Sequence, residues 1–154
     1  MKVNTTRFGV LEVDESSVIK MPRGPLGFEE RTEFVTIHHR PDTSFRWLQS
    51  TEDPALAFVV TDPIEHFGSY EIEISDADAE KLHLTTEDDA LVLSIVTISN
   101  RAQEITVNLA APIVINTKEM LGMQVVLQDN RYSVKQSILN AAEKTEQKVT
   151  VKAA

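Results

Sequence analysis

The chain has 154 residues, no cysteine, and 24 acids against 15 bases for a formal charge of −9; that is one domain's length, enough to bury about two thirds of the surface exposed on unfolding. The missing thiols exclude disulfides, cysteine nucleophiles and thiolate metal ligands, and fit a reducing compartment. The acidic balance argues against a nucleic-acid groove, no apolar run nears the roughly 20 residues that span a bilayer, and MKVNTTRFGV lacks the apolar centre of a signal peptide, so a soluble, cytoplasmic protein with no membrane contact is expected.

In chain order, residues 3–8, 10–13 and 18–21 read as short strands separated by Gly9 and by the polar run 14–17. Residues 22–29, PRGPLGFE, are a shaped loop, because two prolines and two glycines prevent regular pairing while Leu26 and Phe28 can pin it. Its glycines lack the spacing of a P-loop or a dinucleotide fingerprint. Residues 34–39 form the next strand and lead through a turn to residues 45–58, FRWLQSTEDPALAF, which hold the only tryptophan. Period-two alternation puts Phe45, Trp47 and Gln49 on one face and Arg46 and Leu48 on the other, and the first face is expected to enter the core. Asp53 before Pro54 predicts one helical turn, since the carboxylate caps free amides and proline suits the first helical position. Trp47, Phe58, Tyr70 and Leu93 are expected to be mostly buried.

Residues 61–68 read as a loop around Pro63. Residues 70–74 alternate as a strand, with Tyr70, Ile72 and Ile74 inward and Glu71 and Glu73 outward. Residues 75–82 are predicted helical, with Ser75 as cap and Asp76 and Asp78 near the positive end of the dipole. Residues 90–98, ALVLSIVTI, are apolar on both faces and so predict a central, doubly covered strand. A turn at 99–103 precedes a strand at 105–109, and residues 108–116 pass Pro112, expected at a strand start or edge, before a second apolar run. Residues 117–121 predict a helical turn closed by Gly122, and strands at 123–128 and 132–138 follow. Residues 1–139 thus form one domain, and residues 140–154 a polar tail, frayed helix or disordered. Short strands and frequent turns, without long alternating helices, predict a mainly β, antiparallel, barrel-like fold with one short helix and helical turns.

No catalytic, cofactor or metal site is assigned. His38 and His39 are adjacent and face opposite sides of a strand, and His66 and His83 lack partners at ligand spacing. Asp76, Asp78 and Glu80 have the spacing of a calcium loop without its glycine turn, and there is no GxSxG elbow. The distinctive feature is charge. Ten acids lie between Asp62 and Asp89 with Lys81 the only base, which leaves 14 acids against 14 bases elsewhere. Glu71 and Glu73 share one side of a strand that leads straight into a helix bearing Asp76, Asp78 and Glu80, so these five are the candidate partner-binding residues. Three classes remain open: a protein-binding regulator, a small β-barrel enzyme of unrecognised type, and a nucleic-acid-binding barrel.

Four stretches, PRGPLGFE, FRWLQSTEDPALAF, NLAAPIVIN at residues 108–116 and GMQVVLQDNRY at residues 122–132, together resemble the bacterial flagellar assembly factor FliW family and cover most of residues 21–138. The tail beyond residue 139 is longer than the family's usual ending. The resemblance implies a non-enzymatic cytoplasmic protein of β-barrel-like fold with two partners, flagellin and the carbon storage regulator CsrA, an RNA-binding translational repressor. It also implies a switch: secretion of flagellin frees the factor to bind CsrA and relieve repression of flagellin translation. A dense negative face suits an antagonist of an RNA-binding protein, because it attracts a cationic protein and repels RNA.

Overall fold

Hairpin signals at the N-terminus are realised as β1 (Lys2–Thr5) and β2 (Gly9–Glu12), a two-stranded antiparallel ribbon. The computed structural model describes residues 1–99 and 104–138, so the tail and most of the turn after residue 98 lie outside the described residues. The remaining strands are β3 (Ile19–Lys20), β4 (Glu33–Ile37), β5 (Phe45–Ser50), β6 (Ala57–Thr61), β7 (Ala90–Ile98), β8 (Ile105–Val107), β9 (Ile113–Asn116), β10 (Leu121–Gln124) and β11 (Gln136–Ser137). The helices are α1 (Pro63–His66) and α2 (Asp76–Lys81). Strands β3, β4, β5, β6, β7, β9 and β10 form a ring, closed by the pairing of β7 with β9, while β8 and β11 extend from the far half of β7.

The doubly apolar run 90–98 is the hub, as its pattern predicts: β7 pairs with β6, β8 and β9. Every pairing among the described residues is antiparallel except β3 with β10, a parallel contact of one register pair, Lys20 with Leu121. Ile19, Met21, Phe34, Leu48, Val60, Leu93, Ile113 and Ile115 fill the inside of the ring. A second cluster, Phe67, Tyr70, Val96, Val107 and Leu109, covers its outside with help from Phe45 and Val59. Burial on both sides explains why the central strands read as continuous apolar runs.

That second layer overturns the expected facing of β5. Side chains do alternate, but Leu48 points into the ring and is fully buried, whereas Trp47 is half-buried on the outer face. There the ribbon covers it: the Arg7 guanidinium lies 4.6 Å from the Trp47 ring centroid and Phe8 meets its edge at 5.9 Å. Phe58 is also half-buried, edge-on to Phe28 at 5.3 Å, while Tyr70 and Leu93 are buried as expected.

The two Asp-Pro pairs exchange their predicted roles. After Asp53-Pro54 the chain makes a tight turn and no helix, because Ser50 N–H must reach the Leu56 carbonyl (2.9 Å) to start β6 at once. The buried Gln49 amide fills the corner, donating to the carbonyls of Ser50, Pro54 and Leu56 at 3.0–3.2 Å. After Asp62-Pro63 the chain is released from the ladder, and the expected loop contains α1, capped by Asp62 at the Ile64 amide (2.9 Å). Residues 117–120 form a turn that ends on Met120 in the left-handed region (φ 52°), not on Gly122. Gly122 instead lies within β10, where a Cβ would sit 3.2 Å from Ile19 Cγ2.

Candidate partner-binding site

The acidic stretch begins where the ladder stops. Residues 70–74 keep the expected burial pattern, with Tyr70, Ile72 and Ile74 turned in and Glu71 and Glu73 exposed, but they pair with no strand, contrary to the sequence expectation. Two tyrosines anchor the segment instead. The Tyr70 hydroxyl donates to the Leu109 carbonyl (2.7 Å), and burial holds its phenol well above the usual tyrosine range. Tyr132 stacks edge-on against it at 4.7 Å and accepts the Glu71 amide at 2.9 Å. Ile72 and Ile74 pack onto Leu82, Val114 and Val125.

The predicted helix over residues 75–82 is α2, one residue shorter at each end. Ser75 Oγ accepts the Asp78 amide (3.1 Å), and Asp76 and Asp78 occupy the first turn, where the free amides favour negative charge. Its exit is tied down by Asn116, whose buried side chain donates to the carbonyls of Leu82 (2.9 Å) and His83 (3.1 Å). A carboxylate-rich helix of six residues, with none of them buried, is thereby held at a fixed place on the surface.

Glu71, Glu73 and Asp78, with Ile72, Ile74 and Ser75, form one wall of a groove of about 550 Å³. The opposite wall is residues 125–129 and Arg131. Asp76 and Glu80, the other two expected members, are exposed on α2 and lie outside the groove lining. Asp129 and Arg131 belong to the site and were not expected from sequence. The Arg131 guanidinium donates to Asp129 through Nη2 (2.6 Å) and Nε (2.8 Å), and those bonds hold the Asp129 carboxyl below the usual carboxylate range. None of Glu71, Glu73, Asp76, Asp78 and Glu80 forms an ion pair among the described residues.

Reactive groups gather elsewhere and sparsely. Among the described residues no three His, Asp or Glu side chains are placed to hold a metal ion. His66 Nε2 lies 3.0 Å from both Ser44 Oγ and Thr61 Oγ1. The ring is near Phe45 (5.6 Å) and Phe67 (6.3 Å), and joins β5, β6 and α1 where the second apolar cluster begins. No described helix is long and apolar enough to cross a membrane.

A closed β ring carrying an acid-rimmed groove beside an unpaired edge defines a β-barrel-like protein with a candidate interaction surface. The family described as FliW protein matches residues 2–138. The chain is 41% identical over 143 residues to the flagellar assembly factor FliW of Syntrophus aciditrophicus, covering 93% of this chain and 90% of that one. It is 42% identical over 142 residues to that of Geobacter sulfurreducens, covering 92% and 89%. A crystal structure of the flagellar assembly factor FliW superposes with a TM-score of 0.82 at 37% identity, over 90% of this chain and 96% of the other. The chain belongs to the FliW family.

Proposed function

We propose that the chain is a non-enzymatic, cytoplasmic regulator of flagellum assembly that binds flagellin and the translational repressor CsrA, and that its acidic face contributes to the CsrA contact. Relatives that carry the name flagellar assembly factor support the general role. The observation that carries the site is that Glu71, Glu73 and Asp78 share one groove wall with no cation bound to them among the described residues. Carboxylates left unpaired on a rigid surface project a field that speeds encounter with a basic protein.

The test is binding kinetics with purified CsrA and the variant Glu71→Lys/Glu73→Lys. The expected result is slower association with a shallower salt dependence; faster dissociation as well would mean that the charges are enclosed by the contact. Association, dissociation and salt dependence all matching the parent chain would remove this face from the reading. Capture of neither flagellin nor CsrA by the parent chain, together with turnover of a small molecule, would replace the regulator by the enzyme alternative.

A further inference from the structure

The groove is lined on two sides by chain that belongs to no strand, residues 71–75 and 125–129. On one side, Val125 and Leu127 donate their amides to the carbonyls of Pro112 (2.8 Å) and Ala110 (2.9 Å). In an extended strand the N–H and C=O of one residue point the same way and those of the next point oppositely. Val126 and Gln128 therefore turn their backbone groups away from residues 110–112, and neither amide donates a hydrogen bond among the described residues. On the other side, the Glu71 amide is taken by Tyr132, and by the same alternation the Glu73 amide, which donates to nothing among the described residues, points the same way.

The side chains have the matching arrangement. Ile72, Ile74, Val125 and Leu127 form a shared apolar floor that continues into Val114 and Leu82. Glu71 and Glu73 stand at the rim on one side, and Val126, 57% exposed, and Gln128 on the other. Arg131 marks one end, already engaged by Asp129. A volume of about 550 Å³ lies within the roughly 300–1,000 Å³ usual for ligand sites.

We propose that this groove accepts an extended peptide segment of a partner as an added β-strand, one whose side chains alternate between apolar and basic. Apolar side chains would meet the Ile72, Ile74, Val125 and Leu127 floor, basic ones would meet Glu71, Glu73 and Asp78, and the backbone would satisfy the open edges. Unpaired strand edges are templates for this kind of pairing, in which backbone bonds supply affinity and alternate side chains supply specificity. The inference rests on the acidic face being a partner surface and adds how the partner is held.

The probe is a synthetic, end-capped peptide of alternating lysine and valine, about nine residues long, titrated into the full chain and followed by amide NMR shifts. The expected result is saturable binding that moves the amides of Glu73, Val126 and Gln128 most. N-methylation of every second peptide amide, which blocks one edge and leaves charge intact, should weaken binding about tenfold or more, and glutamate in place of lysine should abolish it. Equal affinity for methylated and unmodified peptides, or shifts confined to side chains, would reduce the site to charge attraction and overturn the proposal. Shifts of the same amides with protein concentration alone would assign the groove to a second copy of the chain, with the same consequence. The two readings separate: CsrA binding lost in Glu71→Lys/Glu73→Lys without any peptide binding keeps the regulator surface and ends strand addition. Methylation-sensitive peptide binding with CsrA kinetics unchanged in that variant does the reverse.

Discussion

The β5–β6 corner and the groove between residues 71–75 and 125–131 are both made of extended chain, and they differ in what happens at the backbone. At the corner, β5 has antiparallel partners on both sides, and side chains complete the turn: Gln49 donates to its carbonyls and Ser50 Oγ accepts the amides of Glu52 (3.1 Å) and Asp53 (2.9 Å). At the groove, two segments bury alternate side chains as strands do, yet the amides of Glu73, Val126 and Gln128 donate to nothing among the described residues. Backbone pairing on both sides fixes the corner's shape, although the buried Gln49 Oε1 is left without a hydrogen-bond partner. The groove keeps a rigid floor and an unfilled edge, a combination suited to recognition.

The contrast is most severely tested by the aromatic residues. Phe34, fully buried inside the ring beneath the corner, should cost about 3–5 kcal/mol on replacement by alanine. Trp47→Ala should cost less, about 1–3 kcal/mol, since the indole is only half-buried on the outer face, between Ile37 and Val59 and beneath Arg7 and Phe8. Urea denaturation of both variants checks the order; a larger loss for Trp47 would make the outer face of β5 the true centre of the corner. Next, Gln49→Ala should lower stability by about 1–3 kcal/mol, because the corner loses the buried amide that bridges the Ser50, Pro54 and Leu56 carbonyls. A smaller loss would show that the backbone turn holds without its plug, weakening the contrast between the two regions.

A smaller, pH-dependent effect sits between the two regions. Burial keeps the His66 imidazole below its ordinary value of 6.5, with Glu65 and Asp62 partly opposing the shift. Below that pH the unfolded chain gains a proton that the folded chain resists, so this contribution to stability is whole above pH 6.5 and shrinks as pH falls, until the folded ring is itself protonated. Melting temperatures between about pH 7 and about pH 5 should therefore decline less steeply for His66→Gln than for the parent chain. Equal slopes would place the titration elsewhere. The smallest expected stability change belongs to the groove: Glu71→Lys/Glu73→Lys should leave the unfolding midpoint almost unmoved, because these exposed carboxylates form no ion pair among the described residues and Glu71 acts on Arg131 only at longer range. A large drop would mean that the acids support the fold.

The same contrast marks how far the sequence could be read. A continuous apolar run identified β7 as central, and Ser75 followed by two aspartates placed α2, since both signals are local. Alternation reported correctly which of residues 70–74 are wet, but periodicity carries no information about pairing, so an unpaired segment looked like a strand. For β5 it separated the faces without saying which one is inside, and a second apolar layer made the tryptophan a misleading guide. Asp53-Pro54 and Asp62-Pro63 carry the same local signal, and only the demand for immediate return to the ladder distinguishes them. Three of the five expected acids meet in the groove. Asp129 and Arg131 escaped notice because the bond from Glu71 N–H to the Tyr132 hydroxyl joins the two walls across 61 positions of sequence.

The parallel contact between β3 and β10 bears on the order of assembly. The ring meets there through one register pair and the bond from Lys20 N–H to the Met120 carbonyl (2.9 Å), with Gly122 pressed against Ile19. Strands emerging early from a ribosome find their hairpin neighbours at once, but β3 waits about a hundred residues for its second partner, a loop closure that local pairing cannot replace. Until β10 has been synthesised, β3 has only β4 beside it, and the nascent ring is an open sheet. The same seam should be the first part of the finished ring to exchange its amide hydrogens with solvent.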